Sequence, residues 1–248
     1  MQNSQSQGVS VRRISVASNP IIAFWQTVVG KKIVMAVTGL VLIGFVIGHV
    51  AGNLKIFIGP EAINAYSRFL REVGQPELEY EQVLWIVRSV LLACVALHVT
   101  AAVQLSKLSL GARPVDYKEK KNLATNMSAM TMRIGGLFLF GYIVFHVLHL
   151  TLGKVGYDPG EFHHLSVYQN VVNAFHHQPI AIFYIIAMGA LFLHLDHGIW
   201  SMLQTLGFSN RKNQATLKGI GRLIAFLIFA GFISVPVAVM TEIGRAHV

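Results

Sequence analysis

Five apolar runs, separated by polar, basic or histidine-rich connectors, set the rhythm of the chain. In the first, from Ile33 to Ala51, nineteen residues carry no formal charge, and Lys31 and Lys32 open the run. At about 1.5 Å rise per residue it spans roughly 28 Å, enough to cross the hydrocarbon core of a bilayer. The pattern predicts helix I over residues 30–52, helix II over 82–107, helix III over 133–153, helix IV over 179–206 and helix V over 221–241. Residues 20–29 (PIIAFWQTVV) are short, apolar and carry Trp25, which predicts an interfacial segment leading into helix I. The connector 53–81 is polar and helical around 61–73. Residues 108–132 form a loop, 154–178 a polar stretch with a short surface helix at 165–175, and 210–218 a basic turn. The domains expected are therefore residues 1–29, a cytoplasmic tail and interfacial segment, and 30–248, a five-helix transmembrane domain. The fold class is an all-α membrane protein, a four-helix bundle of helices I–IV with a peripheral helix V.

Composition agrees: 54% of the residues are hydrophobic and 12% charged, against about 25% charged in soluble domains. A single cysteine, Cys94, inside an apolar run leaves no disulfide framework or CxxC metal site. The net charge of +9 suggests nucleic acid until the basic residues are placed, because they fall in short loops between apolar runs. Fourteen Lys and Arg sit at the tail, II–III and IV–V connections, among them Arg113, Lys118, Lys120 and Lys121. Five sit on the opposite side (Lys55, Arg68, Arg71, Lys154 and Arg245). The positive-inside rule puts the N-terminus in the cytoplasm and the C-terminus outside. The tail is rich in Ser and Gln and lacks an apolar core, so it does not read as a signal peptide.

Histidines inside apolar spans are costly without a partner and read as functional. Helix I carries His49, helix II His98, helix III His146 and His149, and helix IV His194 and His197. His49 lies seventeen residues after Lys32 and His146 thirteen after Arg133; His98 lies seventeen after Glu81 and His194 fifteen after Pro179. Helices I and III run outward while II and IV run inward. His49 and His146 therefore share an outer layer, and His98 and His194 an inner one. Two histidines facing each other at one depth supply both axial positions of a haem iron, so two layers imply two bis-histidine haems. A zinc or copper site needs its nitrogens to converge on one point, and a histidine proton relay does not explain pairing by depth.

Gly44, Gly48 and Gly52 make a smooth stripe beside His49, suited to a flat ligand or to helix–helix packing. Arg88, ten residues before His98, is placed to meet a haem propionate or to snorkel to the interface. His149 and His197 each follow a proposed ligand by three residues; they either bind propionates or are themselves the ligands. Asp196 lies toward the cytoplasmic end. The loop histidines His163, His164, His176 and His177 read as flexible surface groups rather than a metal cluster.

The chain resembles the single-chain, five-helix, dihaem cytochrome b anchors of succinate:quinone oxidoreductases. The resemblance is carried by Gly30-Lys31-Lys32, by Thr38-Gly39 and by residues 49–54 (HVAGNL), 112–117 (ARPVDY), 145–149 (FHVLH), 194–201 (HLDHGIWS) and 204–207 (QTLG). It implies one ligand on each of helices I to IV, paired I with III and II with IV, with His194 as the helix IV ligand and His146 favoured on helix III. It also implies a flavoprotein subunit that oxidises succinate, an iron–sulfur subunit, and delivery of electrons through two haem b groups to quinone, usually menaquinone. The expected location is the bacterial cytoplasmic membrane. The chain itself has no Rossmann glycine motif and one cysteine, so the dicarboxylate chemistry belongs to partners. An outer acidic residue near quinone has two candidates, Glu72 and Glu81. The alternatives are a cytochrome b anchor of a hydrogenase or formate dehydrogenase, and a haem-free membrane anchor.

Overall fold

The computed structural model describes residues 19–111 and 123–241, with side chains throughout except at 123–130. The N-terminal tail with Arg12 and Arg13, the basic residues Arg113, Lys118, Lys120 and Lys121, and Arg245 lie outside the described residues. The chain enters through α1 (Pro20–Gln26), where Asn19 Oδ1 accepts the N–H of Ile21 and Pro20 starts the first turn. Thr27 breaks this helix and caps the next, its Oγ1 accepting the N–H of Gly30 at 2.8 Å. Lys31 closes the elbow by donating to the carbonyls of Trp25 and Gln26 at 2.7 and 3.1 Å. Only glycine fits at position 30, because a Cβ there would lie 1.9 Å from the Phe24 carbonyl oxygen.

Among the described residues, five helices are long and apolar enough to cross a membrane. They are α2 (Val28–Asn53, extended by a 3-10 turn Leu54–Phe57), α4 (Gln82–Gly111), α5 (Leu123–His146, followed by a π-turn Val147–Thr151), α7 (Gln178–Thr205) and α8 (Gln214–Met240). These are helices I to V of the sequence. Two shorter helices, α3 (Pro60–Glu72) and α6 (Val167–His176), lie against each other at one end, hereafter the cap end. The Asn64 side chain on α3 accepts the N–H of Tyr168 on α6 at 3.1 Å.

Two helices start earlier than hydropathy predicts. Residues 123–132 (LATNMSAMTM) are helical rather than loop, and α8 begins at Gln214, inside the expected basic turn. Both segments mix good helix formers (Leu123, Ala124 and Met127; Gln214, Ala215 and Leu217) with polar residues (Thr125, Asn126 and Ser128; Thr216 and Lys218) that keep them from registering as membrane core. Hydropathy reports the lipid-facing length of a helix, not where its hydrogen bonds begin.

Helix α7 packs most extensively on α8, where Leu195, Ile199, Ala225 and Ile228 form a buried cluster joined by Ile43 and Val46 of α2. The backbones approach closely at Gly221, against Ile199, and at Gly231, against Val50 of α2. A second cluster under the cap contains Ile56, Ile63, Phe175, Tyr184 and Val235. Helix α2 also packs on α4, and α5 on α7. Among the described residues α2 and α5 share no packed interface, and neither do α4 and α7. The gaps between those two helix pairs are where the histidines lie.

Candidate functional site: two histidine pairs

On α4, His98 turns toward α2, where Gly39 leaves room for its ring: a Cβ there would lie 3.4 Å from His98 Cε1. Its Nδ1 lies 3.1 Å from the Met35 carbonyl oxygen and 3.3 Å from Thr38 Oγ1. The Thr38 hydroxyl proton is used on the Val34 carbonyl at 2.7 Å. Nδ1–H therefore donates to Met35, and the Nε2 lone pair is left free to bind a metal. The ring faces His194 of α7, centroid to centroid 6.4 Å at 60°. His194 is in turn backed by Gly136 of α5, 3.6 Å from Cε1 to a Cβ built there, and its buried Nδ1 has no hydrogen-bond partner among the described residues.

Toward the cap end, His49 of α2 meets His146 of α5 with ring centroids 5.9 Å apart at 84°. Phe45 stacks on His49 at 5.2 Å, and Phe232 of α8 closes its other side at 5.8 Å. The layer spacing follows from helix register. Thr38, at the level of His98, lies eleven residues before His49, and Gly136, at the level of His194, lies ten before His146. The two counts give about 15–17 Å between the pairs.

His146 and His149 part company at the π-turn. A π-turn advances each residue by a smaller angle than an α-turn, so His149 leaves the face that His146 occupies. It is fully buried, with Nδ1 2.9 Å from the Tyr184 hydroxyl and its ring 4.8 Å from that of Tyr157. The same hydroxyl lies 3.4 Å from His146 Nδ1. His146, not His149, faces His49.

These pairs fit a metal held between two imidazoles. Bonds of about 2 Å to each nitrogen put the two ring centroids roughly 6 Å apart. An edge-to-face contact has a similar separation, but such a contact needs neither the carbonyl-anchored Nδ1–H of His98 nor the glycines behind His98 and His194. Two nitrogens per layer, with the layers far apart, suit axial ligation of a planar macrocycle rather than a four-ligand zinc site. The Gly44 and Gly48 positions have nothing within 4 Å of an added Cβ, so no helix packs on that part of the stripe; Gly52 instead abuts Tyr66 of α3.

The remaining predicted residues are dispersed. Arg88 stacks on Trp85 at 4.8 Å. His197 is exposed on α7 one turn beyond His194, and Asp196 pairs with Arg222 of α8 at 3.1 Å. Glu81 is engaged by Arg71 at 3.0 Å, while Glu72 is exposed. The loop between α5 and α6 is more tied down than its composition suggests. Asn170 bonds both the N–H and the carbonyl of His163, Tyr157 donates to the Asn170 carbonyl, and His177 meets Glu161 at 3.2 Å. Ligand atoms of Asp158, Glu161 and His177 lie within 4.8 Å of one another, so of the four loop histidines only His177 joins a group that could hold a metal ion. Tyr184 and Met35 were not singled out by sequence, and Thr38 was noted only within the Thr38-Gly39 stretch. Tyr184 had a usable signal, being a hydroxyl inside a span and ten residues, about 15 Å, from His194.

Fold and site together define an all-helical, multi-pass membrane protein with histidine pairs inside its helix array. Residues 116–233, just under half of the chain, match the family described as succinate dehydrogenase/fumarate reductase transmembrane subunit. The matched stretch takes in His146 and His194 and ends within α8, and it supports a membrane subunit of that oxidoreductase complex. No curated protein and no solved structure matches the chain.

Proposed function

We propose that this chain is the cytochrome b anchor of a succinate:quinone oxidoreductase, with α2, α4, α5 and α7 forming a four-helix bundle around two haem b groups and α8 at its side. The carrying observation is the pair of histidine pairs, His98/His194 and His49/His146, at two levels and each across an unpacked helix gap. The family match to residues 116–233 supplies the complex. His98 and His194 hold the inner haem, and His49 and His146 the outer one. Bound there, the haems supply one-electron chemistry; the chain's own work is to orient the ligands, exclude water and hold the protons on Nδ1. Arg88 remains a candidate for an outer propionate, and His197 for an inner one.

The tail lies in the bacterial cytoplasm and the cap end faces outward, following the fourteen-to-five distribution of Lys and Arg. An iron–sulfur subunit docks at the cytoplasmic side, beside Arg113–Lys121 and Arg211–Lys218, and a flavoprotein subunit sits beyond it. Electrons pass from the inner to the outer level, and quinone, taken to be menaquinone, reacts near the outer ends of α2, α4 and α5. A haem assay on the purified complex, with identification of the co-purifying subunits, tests this. We expect reduced b-type bands at two haems per chain, with a covalent flavoprotein and an iron–sulfur protein. A haem-free preparation would overturn the reading, and a hydrogenase or formate dehydrogenase partner would redirect it.

A further inference from the structure

We infer that Tyr184 and His149 form a directed hydrogen-bonded brace that holds His146 as a ligand and sets the redox potential of the outer haem; this rests on the dihaem reading above. Tyr184 of α7 is buried among Tyr142, Phe145, Phe175 and Phe183, and a hydroxyl there must find partners. Its two neighbours are both imidazoles: His149 Nδ1 at 2.9 Å and His146 Nδ1 at 3.4 Å. A ligand bound through Nε2 carries its proton on Nδ1. His146 Nδ1–H therefore donates to the Tyr184 oxygen, and the Tyr184 hydroxyl donates to His149 Nδ1.

His149 accepts that proton on Nδ1, so its own ring proton sits on the buried Nε2, which has no hydrogen-bond partner among the described residues. It is fully buried, seated by the π-turn that removes it from the His146 face. Its Nε2 abuts Gly156, where a Cβ would come within 3.0 Å and where φ is +78°, so glycine is required on both counts. The brace is specific to the outer level. In the inner pair, the corresponding acceptor for His98 is a backbone carbonyl, and His194 Nδ1 has none among the described residues. An acceptor on Nδ1–H makes an imidazole a stronger donor to iron and favours the oxidised state. Tyr184 is thus a positioning residue, and its removal raises the potential of one haem and not the other.

The test is a redox titration of both haems in the detergent-solubilised complex, for wild type, Tyr184→Phe, His149→Gln and His149→Leu. Tyr184→Phe is expected to keep both haems, to leave the inner potential unchanged and to shift electron sharing toward the outer haem by about threefold to tenfold. His149→Leu should shift it less in the same direction, and His149→Gln, whose amide oxygen still accepts from the hydroxyl, should restore the wild-type value. An unchanged outer potential in Tyr184→Phe, or equal shifts of both haems, overturns the brace. Should Tyr184→Phe fail to assemble, the His149 pair decides: Leu shifted and Gln restored upholds the brace, and both unchanged overturns it. Wild-type complex lacking haem would instead sink the dihaem reading.

Discussion

An imidazole that binds metal through Nε2 is committed by whatever holds its Nδ1 proton, so these sites are decided at single atoms. His98 has the Met35 carbonyl at 3.1 Å and a glycine to lean on. An alanine at position 39 puts its Cβ at ordinary contact distance, whereas the branches of valine would push the ring away. Gly39→Ala should therefore keep the inner haem and Gly39→Val lose it, with the outer haem retained in both, read from reduced-minus-oxidised spectra. At this scale the sequence was informative about residue type and depth, and silent about direction. Depth matched His49 to His146 and His98 to His194, and the rings face each other in those pairs. It left His149 open, because spacing by three reads as one face on a regular helix and the π-turn is invisible to hydropathy.

Elements are held by their ends as much as by their apolar faces. The elbow between α1 and α2 depends on Lys31, whose buried ammonium donates to two carbonyls that α1 leaves unsatisfied. Lys31→Met should lower stability by about 1.5–3 kcal/mol, measured by thermal or denaturant unfolding in detergent, with haem spectra unchanged at low temperature. The cap-end loop offers a pH test. The N–H of Asp158 and then His177 hold the Glu161 carboxyl below the usual range. A depressed folded-state pKa adds stability above the ordinary value of about 4.3, lost as pH falls through the folded value. Protection of residues 158–163 against hydrogen exchange, relative to the intrinsic rate at each pH, should therefore fall as the pH drops below the ordinary carboxylate range in the wild type, and Glu161→Gln should show reduced protection already at neutral pH. This loop's composition suggested mobility; its ordering comes from Asn170 and Asn173, amides whose partners lie several residues away and leave no local signature. The early start of α5 was hidden for a different reason, since Thr125, Asn126, Ser128 and Thr131 interrupt the apolar helix formers of residues 123–132.

Across the whole molecule the two pairs make a ladder, about 15–17 Å between rungs, from the tail end toward the cap. A second rung has a purpose only if electrons leave at the far side. His49→Ala should thus stop succinate:quinone turnover while succinate still reduces the inner haem; full turnover in that variant would return the quinone site to the inner side. The account stands most directly on pairing. Single alanine variants of His49, His98, His146 and His194, each titrated for haem content and potential in the assembled complex, give the sharpest reading. The result predicted is that His98 and His194 variants lose one and the same haem, and His49 and His146 variants the other. Loss of the same haem from His49 and His98 variants, or an intact outer haem in His146→Ala, would contradict it.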